Sequence, residues 1–123
     1  MNYKLVKRTN PQNRKEEKWY AAPVNSGKVT KREITTEIMQ MSSLSRGDAS
    51  NVIENLLEIL PKYLLMGKSV SLGEFGTLRL SFSSQGVEKP EEFKANLIGN
   101  PKVVFTPSTE MKKILKEAKF EKE

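Results

Sequence analysis

A chain of 123 residues suits one domain, and without cysteine or histidine it has no disulfide, no thiolate nucleophile, no usual zinc ligand set and no imidazole base. No apolar run reaches the length of a membrane span, and the mean hydropathy is -0.55. The net charge of +6 is concentrated: residues 1–32 hold nine basic side chains against two acids, and residues 33–123 hold twelve against thirteen.

That positive end suits a phosphate backbone or an acidic protein surface. Within it, Tyr3–Thr9 is short and partly β-branched and stops at the turn signal Asn10-Pro11. Lys18–Val24 reads as a second strand, with Pro23 marking its end or an edge position. Residues 10–17 between them read as a polar loop, and the whole as a basic hairpin or a pair of edge strands. Trp19 and Tyr20 stand among Lys15, Lys18 and Lys28. Such aromatics either stack on a nucleic acid or place one side chain in a core.

Thr30 with Glu33 has the spacing of a capping box, and Ile34, Ile38 and Met41 follow on one face of a helix. The pair Ser42-Ser43 breaks it. Ser45 and Asp48 repeat the arrangement at the start of a longer helix, Arg46 to Leu65. In that helix Val52, Leu56, Ile59 and Tyr63 form one stripe, and Ile53, Leu57, Leu60 and Leu64 an adjacent one. The apolar face is wider than a surface helix needs, so it requires cover on several sides. Pro61 removes one backbone bond, and Gly67 supplies a left-handed terminus. The two helices read as a core hairpin rather than a helix-turn-helix, because the second offers only Arg46 as a reading head in its first turn.

The hydrophobic period then changes to two. Val70 and Leu72, a turn at Gly73–Gly76, and Leu78, Leu80 and Phe82 predict a hairpin with one apolar face. Residues 84–102 are polar and irregular, with one helical turn near Pro90–Phe93. Val103–Phe105 returns as a strand, and Pro107-Ser108 precedes a final helix bearing Met111, Ile114, Leu115 and Ala118 on one face. Glu33 with Glu37 and Glu54 with Glu58 share helix faces as solvated pairs, so no acid–base couple is placed. The expectation is a non-enzymatic protein with no catalytic residue, no metal site and no cofactor.

The stretch Thr30–Leu80 resembles the HU and integration-host-factor family of bacterial histone-like DNA-binding proteins. The likeness runs through Leu-Ser-Arg-Gly-Asp-Ala (44–49), the long helix, Leu-Leu-Met-Gly-Lys-Ser-Val-Ser-Leu (64–72) and Glu-Phe-Gly-Thr-Leu (74–78), and resumes at Val-Val-Phe-Thr-Pro (103–107). The leading Tyr-Lys-Leu-Val-Lys-Arg-Thr-Asn-Pro and the Trp-Tyr-Ala-Ala-Pro-Val strand resemble the branch with an added N-terminal segment, known from Bacteroides-type bacteria.

That resemblance implies an α+β fold of the HU type: a helical hairpin, an antiparallel β-sheet with an arm, a C-terminal helix, extra N-terminal strands and an intertwined dimer. It divides a single domain, 1–123, into a basic N-terminal β-extension (1–28), the helical hairpin and β-hairpin (29–83), a variant arm (84–102) and the strand with the C-terminal helix (103–123). Its dimer core would be Val52, Ile53, Leu56, Leu57, Leu60, Phe75, Leu78, Leu80 and Phe82. Phe75 and Gly76 match the family's Gly-Phe-Gly turn, with Glu74 in place of the first glycine, and Lys112 matches a basic position after the Phe-x-Pro motif. The family's arms are rich in arginine and end in a wedging proline. Residues 83–102 hold no arginine and carry Glu88, Glu91 and Glu92, so wedging there is not expected.

The expected function is a nucleoid-associated, cytoplasmic homodimer that binds DNA with little sequence preference. Phosphate contacts are assigned to Lys4, Lys7, Arg8, Arg14, Lys15, Lys18, Lys28, Lys31, Arg32, Arg46, Lys68, Arg79 and Lys112, with Gly76 contributing backbone. The alternative is a dimeric protein-interaction or structural module of the same fold that has lost the embrace of DNA.

Overall fold

The computed structural model describes residues 1–123, the side chain of Arg14 apart. Strands β1 (Asn2–Asn10) and β2 (Asn13–Pro23) form an antiparallel hairpin, with Tyr3 opposite Pro23 and Thr9 opposite Glu17. The Asn10 carboxamide accepts the Gln12 N–H at 3.0 Å and that of Asn13 accepts the Lys15 N–H at 3.2 Å, so two local side-chain turns fix the reversal. Residues 13–17, expected in a loop, are therefore strand. Both faces of this hairpin meet solvent, so polar residues there need not alternate with apolar ones.

Helix α1 (Lys31–Met41) starts at Thr30, whose hydroxyl accepts the Glu33 N–H at 3.2 Å and approaches its carboxylate at 3.3 Å. Helix α2 (Arg46–Leu65) starts at Ser45, which caps the Asp48 N–H at 3.1 Å. It ends as the glycine predicts. Gly67 has φ 78, its N–H donates to the Leu64 carbonyl at 3.0 Å, and that of Lys68 donates to Tyr63 at 3.2 Å.

Strands β3 (Val70–Ser71), β4 (Gly76–Ser84) and β5 (Ile98–Pro107) form an antiparallel sheet in that order. β5 begins at Ile98 and not at Val103. The Asn100-Pro101 pair lies inside the strand, beside a register shift opposite Ser81–Ser83, where Asn100 has φ 54 and its amide donates to Ser83 Oγ at 3.1 Å. Short 3-10 turns at Pro90–Glu92 and Ala95–Leu97 fill the connection, which closes where the Gln85 N–H meets the Leu97 carbonyl at 3.0 Å.

Helix α3 (Thr109–Leu115) stops before Ala118, shorter than its apolar spacing suggests. The chain turns out of the helix in order to return. β6 (Glu121–Lys122) pairs in parallel with β1, giving a second sheet in the order β2-β1-β6. Among the described residues, that N-terminal sheet shares no extensive contact with the helices.

The core is thin. Among the described residues the buried apolar side chains are Ala49 and Leu64 alone, with Thr35 beside them. Val52, Leu56, Leu57 and Ile59 of α2 are exposed, Leu57 at 46%, and so are Phe75 and Phe82, the latter at 57%. Ile53, Leu60, Leu78 and Leu80 are half-buried. Leu57, Leu60, Pro61, Leu64, Leu78, Leu80 and Val103 line an apolar groove of about 390 Å³ between α2 and the sheet. The wide apolar face read from the sequence is present, and one chain does not cover it.

Candidate nucleic-acid interface

Opposed residues of an antiparallel pair point to the same side, and successive residues to opposite sides. The register therefore sorts the N-terminal hairpin into two faces. One presents Lys4, Val6 and Arg8 with Ala22, Tyr20 and Lys18; the other presents Tyr3, Leu5, Lys7 and Thr9 with Pro23, Ala21, Trp19 and Glu17. Trp19 and Tyr20, adjacent in sequence, thus lie on opposite sides, and both are exposed. Neither enters a core.

The charges follow the same division. On the Trp19 face, Lys7 Nζ lies 2.6 Å from the Glu17 carboxylate and 6.0 Å from the indole centroid. On the Tyr20 face, the Arg8 guanidinium lies 5.7 Å from the ring centroid. Lys18 meets Glu16 at 3.5 Å, and the same carboxylate accepts from the Asn10 amide at 3.3 Å. Arg8, Thr9, Asn10, Pro11, Glu16, Lys18 and Tyr20 line an open groove of about 450 Å³.

A second basic cleft, about 190 Å³, is lined by Lys31, Arg32, Thr35, Arg46 and Ser50, where the first turns of α1 and α2 come together. Lys31 is also ion-paired to Glu54, so Arg32 and Arg46 are its unpaired cations. Thr35 and Ser50 carry no charge signal in the sequence; only the crossing of the two helices brings them in.

The remaining candidates are dispersed. Lys28 is exposed on the link before α1, and Lys15 is exposed near the hairpin turn. Lys68 lies past the end of α2, 5.8 Å from the Tyr63 ring, which Lys62 approaches at 5.3 Å from within the helix. Arg79 is exposed on β4 opposite Val104, and Lys112 lies in the last turn of α3. Arg14 falls outside the described side chains. Gly76 is buried with φ 153, and a Cβ there would collide with the Thr106 carbonyl and approach the Phe105 ring to 2.8 Å. Close packing and the positive φ together call for a glycine there.

A family model described as an HU domain fused to a winged helix-turn-helix, immunoglobulin or glycine-rich motif (HU-HIG) matches residues 1–122. The chain belongs to the HU-HIG family. A crystal structure from Bacteroides vulgatus ATCC 8482, provisionally assigned as a bacterial DNA-binding protein, superposes on 98% of the chain with a TM-score of 0.63 at 17% identity. At that identity the likeness concerns the fold, and the HU-HIG chain spans about half, 47%, of that structure's length. No curated protein sequence matches it. The α+β, HU-like architecture is thereby established, with the β2-β1-β6 sheet as part of the family's matched length.

Proposed function

We propose that this HU-HIG chain is a histone-like, nucleoid-associated protein that binds DNA as a homodimer, through the phosphate backbone and with little sequence preference. The observation that carries this reading is the set of exposed cations left outside ion pairs among the described residues, Lys4, Arg8, Arg32, Arg46, Lys68 and Arg79 among them. Contacts of this kind position a protein on a duplex and carry no base information.

The homodimer is supported by the uncovered face of α2 and β4. Full burial of a large apolar side chain is worth ~1.5–3 kcal/mol, so six side chains left about half exposed forgo roughly 5–9 kcal/mol. That is comparable to the whole stability of a small domain, about 5–15 kcal/mol. A second copy that covers Val52, Leu56, Leu57, Ile59, Phe75 and Phe82 would recover it.

Salt titration of binding to a random duplex tests the electrostatic mechanism. With about six phosphates neutralised, affinity falls roughly a thousandfold between about 50 and 200 mM salt. A flat response removes the mechanism. A second reading, a protein-interaction module, is favoured by the ion pairs that already occupy Lys7, Lys18 and Lys31, and by the acidic Glu88, Glu91 and Glu92 between β4 and β5. It predicts no gel shift of duplex DNA even at low salt, and no effect on DNA of reversing the N-terminal cations to Glu.

A further inference from the structure

We infer that the N-terminal hairpin is a two-sided ribbon whose Lys4–Arg8 face lies against the nucleic-acid backbone, while its Trp19 face points away. The inference rests on the DNA-binding reading and adds to it a contact surface and an orientation.

Three observations carry it. First, the register puts Lys4, Arg8 and Lys18 on one side of the ribbon. The acid on that side among the described residues, Glu16, is already engaged by Lys18 and by the Asn10 amide. The Trp19 face, by contrast, neutralises Lys7 with Glu17 at 2.6 Å. Two residues adjacent in sequence, Lys7 and Arg8, therefore differ in what they offer a polyanion. Second, the guanidinium of Arg8 is supported by the Tyr20 ring at 5.7 Å, which narrows its orientations before a phosphate arrives. Third, the spacing fits. Lys4 and Arg8 are four residues apart on one strand, about 13 Å at ~3.3 Å per residue. Along a duplex that span is roughly four base-pair steps, so each cation reaches its own phosphate. A two-stranded ribbon is also of a width that a DNA groove admits.

Partner chemistry follows from the charge. The face is cationic, with Val6 between Lys4 and Arg8 and Ala22 across from Lys4. An extended polyanion that runs along the ribbon satisfies Lys4 and Arg8 together.

The test uses the full chain and a random-sequence duplex, read as the slope of log affinity against log salt. Lys4→Ala combined with Arg8→Ala is expected to reduce the slope by about 1.8, at ~0.9 for each phosphate no longer neutralised. Lys7→Ala is expected to leave it at the wild-type value. If the double variant keeps the full slope while wild type binds, the orientation is overturned and the DNA-binding reading stands. If wild type does not bind at all, both fall. Lysine acetylation of the wild-type protein, with and without DNA, needs no variant to fold: DNA should protect Lys4 and leave the Lys7 rate unchanged. Protection of Lys7 without Lys4 overturns the inference.

Discussion

The Cζ atom of Arg8 lies 5.7 Å from the centroid of the Tyr20 ring, across the hairpin from where Lys7 approaches Trp19. The ribbon is thus held by its own strand pairing, by the short β6 pairing and by cation–ring contacts, and among the described residues it shares no extensive contact with the helices. Trp19 is the sole tryptophan and is exposed at 64%, so its emission reports on the ribbon alone. On heating, the Trp19 signal is expected to change at a lower temperature than the helical circular dichroism. Coincident transitions would mean that the ribbon is coupled to the body. Tyr20→Leu should lower the first transition only, by about 0.5–1 kcal/mol.

In the proposed homodimer, the uncovered α2 face would tie folding to association. The melting temperature of the body is expected to rise with protein concentration, as it does when the folded state is an oligomer. Leu57→Asp, which puts a charge into the groove with Leu60 and Leu80, should abolish the folded dimer in sedimentation. A concentration-independent melt with a monomer mass would show that one chain suffices.

Two glycines with positive φ separate backbone strain from steric exclusion. Gly67 has φ 78 and open space where a Cβ would stand, so Gly67→Ala should cost about 1–2 kcal/mol, the left-handed penalty alone. At Gly76 the same change adds a collision with Thr106 and Phe105, and should cost at least about 3 kcal/mol. Chemical denaturation of the two variants tests the ordering; equal losses would contradict it.

Ser108 does more than cap. Its hydroxyl accepts the Met111 N–H at 3.0 Å and donates to the Glu74 carbonyl, which ties α3 to the turn between β3 and β4. Ser45 caps α2 without such a tie. Ser45→Ala should cost about 1 kcal/mol, and Ser108→Ala should cost more, about 2 kcal/mol. Denaturant midpoints of the pair decide it.

The helices were legible because their boundaries are written in local chemistry: Thr30 with Glu33, Ser45 with Asp48, and Gly67 each act within one turn. The β4 apolar face was legible for the same reason, through its period of two. The extent of β2 and β5 was not. Residues 13–17 form a strand with solvent on both sides and so carry no alternation, and Asn100-Pro101 imitates a turn while occupying a bulge. The two faces of the ribbon were out of reach for a different reason. Lys7 and Arg8 are neighbours of like charge, and only the register, which sets Trp19 against one and Lys18 against the other, divides them. β6 depends on a pairing between segments far apart in the sequence, for which Glu121-Lys122 gives no local sign.

That last pairing bears on synthesis. As the chain leaves the ribosome, β1 and β2 can meet at once, because a tight reversal joins them. The third strand must wait until residues 121–122 emerge, after all three helices. Until then the outer border of β1 is bare from its first residue, and the β6 segment covers it only at Asn2 and Tyr3, once the helical body has been made.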